Sequence, residues 1–214
     1  MKILYTGFGR FPGAPFNPSE ALVRRLVRRR RPAFAELQRV AHVFPTAYAA
    51  VDRDLPTLIR RHAPDAVIMF GLAGRTPHLR IEMQARNRTT AVFPDAARQV
   101  PSQQRIVMPG GAVKRLRIPF RFLLHAAKAS GLRTMLSRDA GSYVCNYGYW
   151  RAIEAGERPR GPRLVVFVHI PKIRSGIRKT GKQRATLPQL LRAAEGITLA
   201  AVSALQRTAD RKRA

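Results

Sequence analysis

Hydrophobic residues fall along this chain in three kinds of pattern. Residues 65–74, DAVIMFGLAG, and 163–171, RLVVFVHIP, are nearly continuous apolar runs bounded by turn residues, as expected of strands buried on both faces. KILYT (2–6) is a shorter run of the same kind that ends at Gly7, ELQRVAHVF (36–44) alternates weakly, and LRTMLS (132–137) also reads as a strand. LRIEMQARN (79–87) alternates strictly, with Leu79, Ile81, Met83 and Ala85 on one side and Arg80, Glu82, Gln84 and Arg86 on the other. That predicts one strand with a polar face.

The remaining segments show helical spacing. SEALVRRLVRRRR (19–31) lines up Leu22, Val23, Leu26 and Val27 with arginines opposite, is capped by Asn17 or Ser19, and stops at Pro32. AYAAVDRDLPTLIRRHA (47–63) predicts a helix in which Pro56 implies a kink or a late start. Further helices are expected over FRFLLHAAKAS (120–130, stopped by Gly131) and YVCNYGYWRAIEAG (143–156). A long one is expected over LPQLLRAAEGITLAAVSAL (187–205), capped by Thr186 with Pro188 in its first turn. Residues 91–118 read as irregular, with a hairpin near Pro109-Gly110-Gly111, and QRTADRKRA (206–214) as a frayed tail. Strands and helices alternate, so the expected class is α/β, a largely parallel sheet with helices on both faces. A single domain over 1–206 and a basic tail over 207–214 are expected. The apolar run of the N-terminus is too short for a signal peptide, and no run is long enough to span a bilayer.

Charge adds a second feature. The 214 residues carry 40 Lys and Arg against 12 Asp and Glu, a formal net charge of +28, and only seven of the 40 are lysines. Such a surface attracts polyanions weakly and without specificity. A basic nucleic-acid-binding protein is therefore one reading, although no helix-turn-helix or aromatic-interleaved basic strip accompanies the charge. The single cysteine excludes an intrachain disulfide and any cysteine-cluster metal site, and fits a reducing cytoplasm.

That cysteine, Cys145, follows the turn RDAGS at the start of a predicted helix. It reads either as a buried structural thiol or as a nucleophile whose pKa is lowered by the helix N-terminus, where free N–H groups could also hold an oxyanion. His169 sits near the end of a buried strand, an unusual place for an imidazole. In open α/β sheets sites gather at the carboxyl ends of strands, so the two can meet as nucleophile and base. Glu82, on the polar face of its strand, is a candidate to orient the base or an ordinary ion-pair partner of a nearby arginine.

Four segments resemble, in order, those of the pyroglutamyl-peptidase I family (pyrrolidone-carboxylate peptidases), and the likeness reaches about residue 206. TGFGRFPGAPFNPSE carries Gly7, Phe8, Phe11, Gly13, Asn17, Pro18 and Ser19 in the family's N-terminal pattern. GLAGRTPHLRIEMQARN carries Glu82, Ala85 and Asn87, SRDAGSYVCN carries the Ser-x-x-Ala-Gly-x-x-x-Cys-Asn pattern, and FVHIP carries Phe-x-His-Ile-Pro. The resemblance implies a three-layer α/β/α sandwich with a mixed, largely parallel sheet. It implies a cysteine exopeptidase that removes N-terminal pyroglutamate from peptides, with Cys145, His169 and Glu82 catalytic and no metal or cofactor. It implies substrate binding by Phe8, Phe11, Asn17, Leu72 and Tyr143, and assembly as a homo-oligomer, dimer or tetramer, with no membrane partner. Leu72 stands where the family has Gln, Val92 where it has Arg, and Tyr147 where it often has His. A peptidase-fold relative with changed substrate is therefore the alternative. The run 172–184, with six Lys or Arg in thirteen residues, is expected to border the site and favour acidic peptides.

Overall fold

The computed structural model describes residues 1–116, 118–173 and 185–211. Eight strands and five helices follow in the order β1 (Lys2–Phe8), α1 (Pro18–Val27), β2 (Gln38–Phe44), α2 (Tyr48–His62), β3 (Ala66–Leu72), β4 (Leu79–Glu82), β5 (Ala85–Arg86), β6 (Val113–Lys114), α3 (Phe120–Lys128), β7 (Thr134–Ser137), α4 (Val144–Gly156), β8 (Leu164–Ile170) and α5 (Leu187–Asp210). Six strands form one sheet in the order β2-β1-β3-β8-β4-β7, and β5 and β6 form a separate antiparallel pair. All pairings in the large sheet are parallel except β4 with β8. The apolar runs of β3 and β8 are central and buried at every position, as their continuous hydrophobicity demands.

Both faces of the sheet are covered. Leu22, Val23 and Leu26 of α1, Leu123 and Ala127 of α3, and the apolar stripe of α5 pack with Ile68, Val166 and Val168 on one face. Val51 and Leu55 of α2 and Trp150 and Ile153 of α4 pack with Val67, Met69 and Phe167 on the other. This is the expected three-layer α/β/α arrangement with a mixed sheet. No described helix is long and apolar enough to cross a membrane.

Three expectations change. LRIEMQARN is not one strand: after Glu82 the Met83 N–H bonds Ser137 O at 2.7 Å and the chain leaves the sheet. It re-pairs as β5 with Val113–Lys114, which replaces the hairpin expected near Gly110. Pro56 neither delays nor ends α2, which runs unbroken from Tyr48 to His62. The last helix passes residue 206 and continues to Asp210. Its extra turns are tied down by Arg207, whose guanidinium lies 5.0 Å from the Phe122 ring centre. Of the cationic run 172–184, residues 174–184 lie outside the described residues.

Candidate active site

His169 is the penultimate residue of β8, level with Gly71 of β3 on one side and Arg80 of β4 on the other. It is buried, and its ring packs at 4.8 Å against that of Phe167, two residues back on the same face. Its Nδ1 lies 2.8 Å from Glu82 Oε1. That short contact fixes the tautomer: Nδ1 carries the proton and donates it to the carboxylate, so Nε2 is left as a proton acceptor.

Glu82 closes β4 and is fully buried. The polar face of this strand is turned into the α4 layer. A buried carboxylate needs a partner, and Glu82 has two, the imidazole and a guanidinium. Besides His169, Arg80 Nε lies 3.1 Å from the same Oε1, as an ion pair rather than an aligned hydrogen bond. Arg80 Nη2 is 3.3 Å from His169 Nδ1. Glu82 Oε2 has no hydrogen-bond partner among the described residues. The strand is braced from above by the Tyr149 hydroxyl, which donates to the Glu82 carbonyl at 2.9 Å.

Cys145 reaches this place by an indirect route. Rather than continuing the direction of β8, β7 runs parallel to β4 and so opposite to β3 and β8. The connection 138–143 carries the chain back to the carboxyl ends of β3 and β8, where α4 begins. Gly141, at φ 85, makes the turn that a residue with a side chain would resist, and Asp139 accepts its N–H at 2.9 Å. Tyr143 stands at the N-cap with no capping side-chain bond, so no side chain claims the first N–H groups of α4. Cys145 is the second residue of the helix. A Cβ built on Gly71 would lie 2.8 Å from the Cys145 sulfur and 2.8 Å from Phe167 Cζ. Gly71 therefore leaves the space the sulfur occupies, and the sulfur lies over the strand position level with His169.

The electrostatics differ from the sequence expectation. Burial pushes the Cys145 thiol up to about 12, the Glu82 charge pushes the same way, and the Arg80 charge opposes them. Although the residue as a whole is only partly buried, desolvation at the sulfur makes the thiol harder to ionise than a free cysteine.

Leu72, Phe11 and Tyr143, three of the five sequence-predicted substrate residues, line one cavity of about 390 Å³. The Phe11 and Tyr143 rings lie 5.7 Å apart, and the Tyr143 hydroxyl donates to Pro94 O at 2.9 Å. The other two sit elsewhere. Phe8 is fully buried, its ring packed against Phe44 and Phe167, so it backs the site from the core. Asn17 caps α1: its Oδ1 accepts from Ser19 N at 3.1 Å and its Nδ2 donates to Gly9 O at 3.1 Å. It holds the N-terminal loop that carries Phe11. Val92 is 75% exposed and takes no part in this cavity. The Tyr147 hydroxyl is engaged with Asp52, at 2.6 Å. Among the described residues no group of three or more His, Cys, Asp or Glu could hold a metal ion.

Two residues that hold the site together are absent from the sequence-based set. Arg80 has a signal in hindsight, since it shares a face with Glu82 at i, i+2. Asn146 follows the cysteine directly. Its Oδ1 accepts from Arg86 N at 2.8 Å, and its Nδ2 donates to Arg86 O at 2.8 Å and Arg88 O at 2.9 Å. It ties the first turn of α4 to β5, a fold contact that no local pattern encodes.

A family model described as pyroglutamyl peptidase matches residues 1–207. The pyrrolidone-carboxylate peptidase of Gloeobacter violaceus is 32% identical over 197 residues, covering 91% of this chain and 94% of its own length. That of Thermococcus kodakarensis is 30% identical over 171 residues, covering 80% and 81%. Among solved structures, pyroglutamyl peptidase I from Bacillus amyloliquefaciens superposes with a TM-score of 0.81 at 28% identity, covering 96% of this chain and 97% of that one. The pyrrolidone carboxyl peptidase of Thermococcus litoralis, at 22% identity and a TM-score of 0.86 over 97% and 96% of the two chains, shares the fold.

Proposed function

Because the chain belongs to the pyroglutamyl peptidase family, we propose that it hydrolyses the amide after an N-terminal pyroglutamyl residue through Cys145, His169 and Glu82. The observation that carries this reading is the 2.8 Å contact between His169 Nδ1 and Glu82 Oε1 on the sheet face where the Cys145 sulfur lies.

The chemistry follows from the charges. Because the thiol is pushed up, its proton leaves as the sulfur attacks. Cys145 Sγ forms a bond to the pyroglutamyl carbonyl carbon while His169 Nε2 takes the thiol proton. Glu82 offsets the positive charge that the imidazole acquires. The carbonyl oxygen becomes an oxyanion beside the first N–H groups of α4. As the tetrahedral species collapses, the carbon–nitrogen bond breaks and His169 returns its proton to the departing amine. Water, deprotonated by His169, then attacks the thioester. The carbon–sulfur bond breaks, pyroglutamate leaves, and the thiolate recovers its proton from the imidazole. The lactam ring carries no charge, so the aromatic wall formed by Phe11 and Tyr143 suits it.

The deciding experiment is hydrolysis of a fluorogenic pyroglutamyl amide by the wild type, Cys145→Ala and Cys145→Ser. Turnover by the wild type and none above background by either variant, with circular dichroism unchanged, is the expected result. Full activity of Cys145→Ala would overturn the assignment.

A further inference from the structure

The cavity lined by Leu72, which follows Gly71, and by Tyr143, two residues before Cys145, has an apolar wall and a one-signed rim. Phe11, Leu72, Phe93 and Tyr143 supply apolar surface, while the charged groups among its lining residues are Arg75 and Lys172, with no carboxylate. Both cations come from the strand ends that build the site. Leu72 ends β3, with Arg75 in the turn beyond it, and Lys172 follows His169 by three residues at the end of β8. The lysine does not simply trail into solvent. A Cβ on Gly74 would approach Lys172 Cε at 3.2 Å and Nζ at 3.9 Å, so the absent side chain of Gly74 lets the lysine lie across the turn that carries Arg75. Among the described residues neither cation has an ion-pair partner.

Two like charges on one rim repel each other and lack a counter-ion. Pyroglutamate supplies none, since its lactam nitrogen and side-chain carbonyl are neutral. A carboxylate on the next residue of the peptide would. Resting on the peptidase reading above, we infer that Arg75 and Lys172 select substrates bearing a carboxylate on the residue after pyroglutamate. That carboxylate has two sources: the side chain of Asp or Glu, or the free C-terminus of a pyroglutamyl dipeptide. The rim discriminates acidic from neutral leaving groups, and the discrimination weakens as salt rises, because both cations are exposed.

The test compares kcat/KM for matched pairs of peptides. Pyroglutamyl-Glu amide against pyroglutamyl-Gln amide reads the side-chain source. Pyroglutamyl-Ala as the free acid against its amide reads the terminal source. The expected result is a ratio of about tenfold favouring the charged member of at least one pair at low salt, falling towards one at high salt. In Arg75→Ala/Lys172→Ala the ratio falls to about one, and in Arg75→Glu/Lys172→Glu it inverts. Equal kcat/KM within both pairs, or a preference that survives the double variant, overturns the proposal. If no pyroglutamyl amide is turned over, the peptidase reading fails. The rim is then judged by protection of Cys145 from iodoacetamide, where equal protection by the charged and neutral members of both pairs rejects it.

Discussion

Arg80 and His169 converge on one oxygen, Glu82 Oε1, at 3.1 and 2.8 Å. One carboxylate therefore answers two cationic groups when the imidazole is protonated, and the site as a whole stays near neutrality. In the proposed reaction, Arg80 balances Glu82 before the thiol proton moves, and the imidazolium balances the thiolate afterwards. Burial makes this balance matter, since an uncompensated charge in such a place costs several kcal/mol.

Glu82→Gln removes the carboxylate while keeping the shape. The amide can present N–H to His169 Nδ1 and favour the tautomer with its proton on Nε2, which cannot accept from sulfur. Turnover of a pyroglutamyl amide is expected to fall about 100-fold or more, with KM little changed. A variant with wild-type kcat would show that Glu82 only pairs with Arg80.

Arg80→Met deprives Cys145 of the positive charge that opposes Glu82. The thiol, already pushed up to about 12, should rise further, so alkylation by iodoacetamide at a given pH slows. The charged and titratable groups around the sulfur are Glu82 and Arg80 of β4, His169 of β8, and Tyr48 and Tyr143 at the helix end. Arg80→Lys should recover much of the rate. Identical pH profiles of alkylation for wild type and Arg80→Met would assign the arginine to packing alone.

Gly71→Ala places a methyl where the sulfur and the Phe167 ring stand, both at 2.8 Å. One or both must shift, at a stability cost of about 1–3 kcal/mol. Activity should fall by more than tenfold in a protein that still folds. Thermal melting and kcat measured together check this, and unchanged kcat would mean that the sulfur has room to spare.

Burial raises all five tyrosines: Tyr5, Tyr143 and Tyr147 to about 12, and Tyr48 and Tyr149 also upward. Below their ordinary value of about 10 both folded and unfolded chains hold these protons, and the associated stability is complete. As pH rises from about 10 towards 12, the unfolded chain loses protons that the folded one retains. Stability should therefore fall across that window, and tyrosinate absorbance should appear together with unfolding. Five tyrosines titrating near pH 10 in a protein that stays folded would contradict the burial described.

Much of this arrangement is legible in the chain. β3 and β8 announce themselves because a strand covered on both faces has no reason to carry polar residues, so His169 stands out at once. Cys145 and Glu82 are legible through the spacing of their neighbours. The surroundings of those residues are not. Strict alternation in LRIEMQARN correctly puts Arg80 and Glu82 on one face, but alternation cannot say whether that face meets water or α4. The break after Glu82 comes from a long-range bond to Ser137, invisible to a local pattern. The raised thiol has the same origin. A cysteine at a helix start suggests a stabilised thiolate, and only the fold shows how far the sulfur is desolvated. Phe8 and Asn17 flank the right loop, yet one closes β1 and faces the core and the other caps a helix.

The central position of β8 carries one more consequence. β3 and β4 do not pair with each other; β8, which comes last of the strands in sequence, lies between them and joins the β2-β1-β3 half to the β4-β7 half. Without residues 164–170 no strand pairs the β2-β1-β3 half with the β4-β7 half. The same strand delivers the imidazole. A polypeptide that ends before β8 thus holds Cys145 and Glu82 without His169, and the proposed catalytic group is completed together with closure of the sheet.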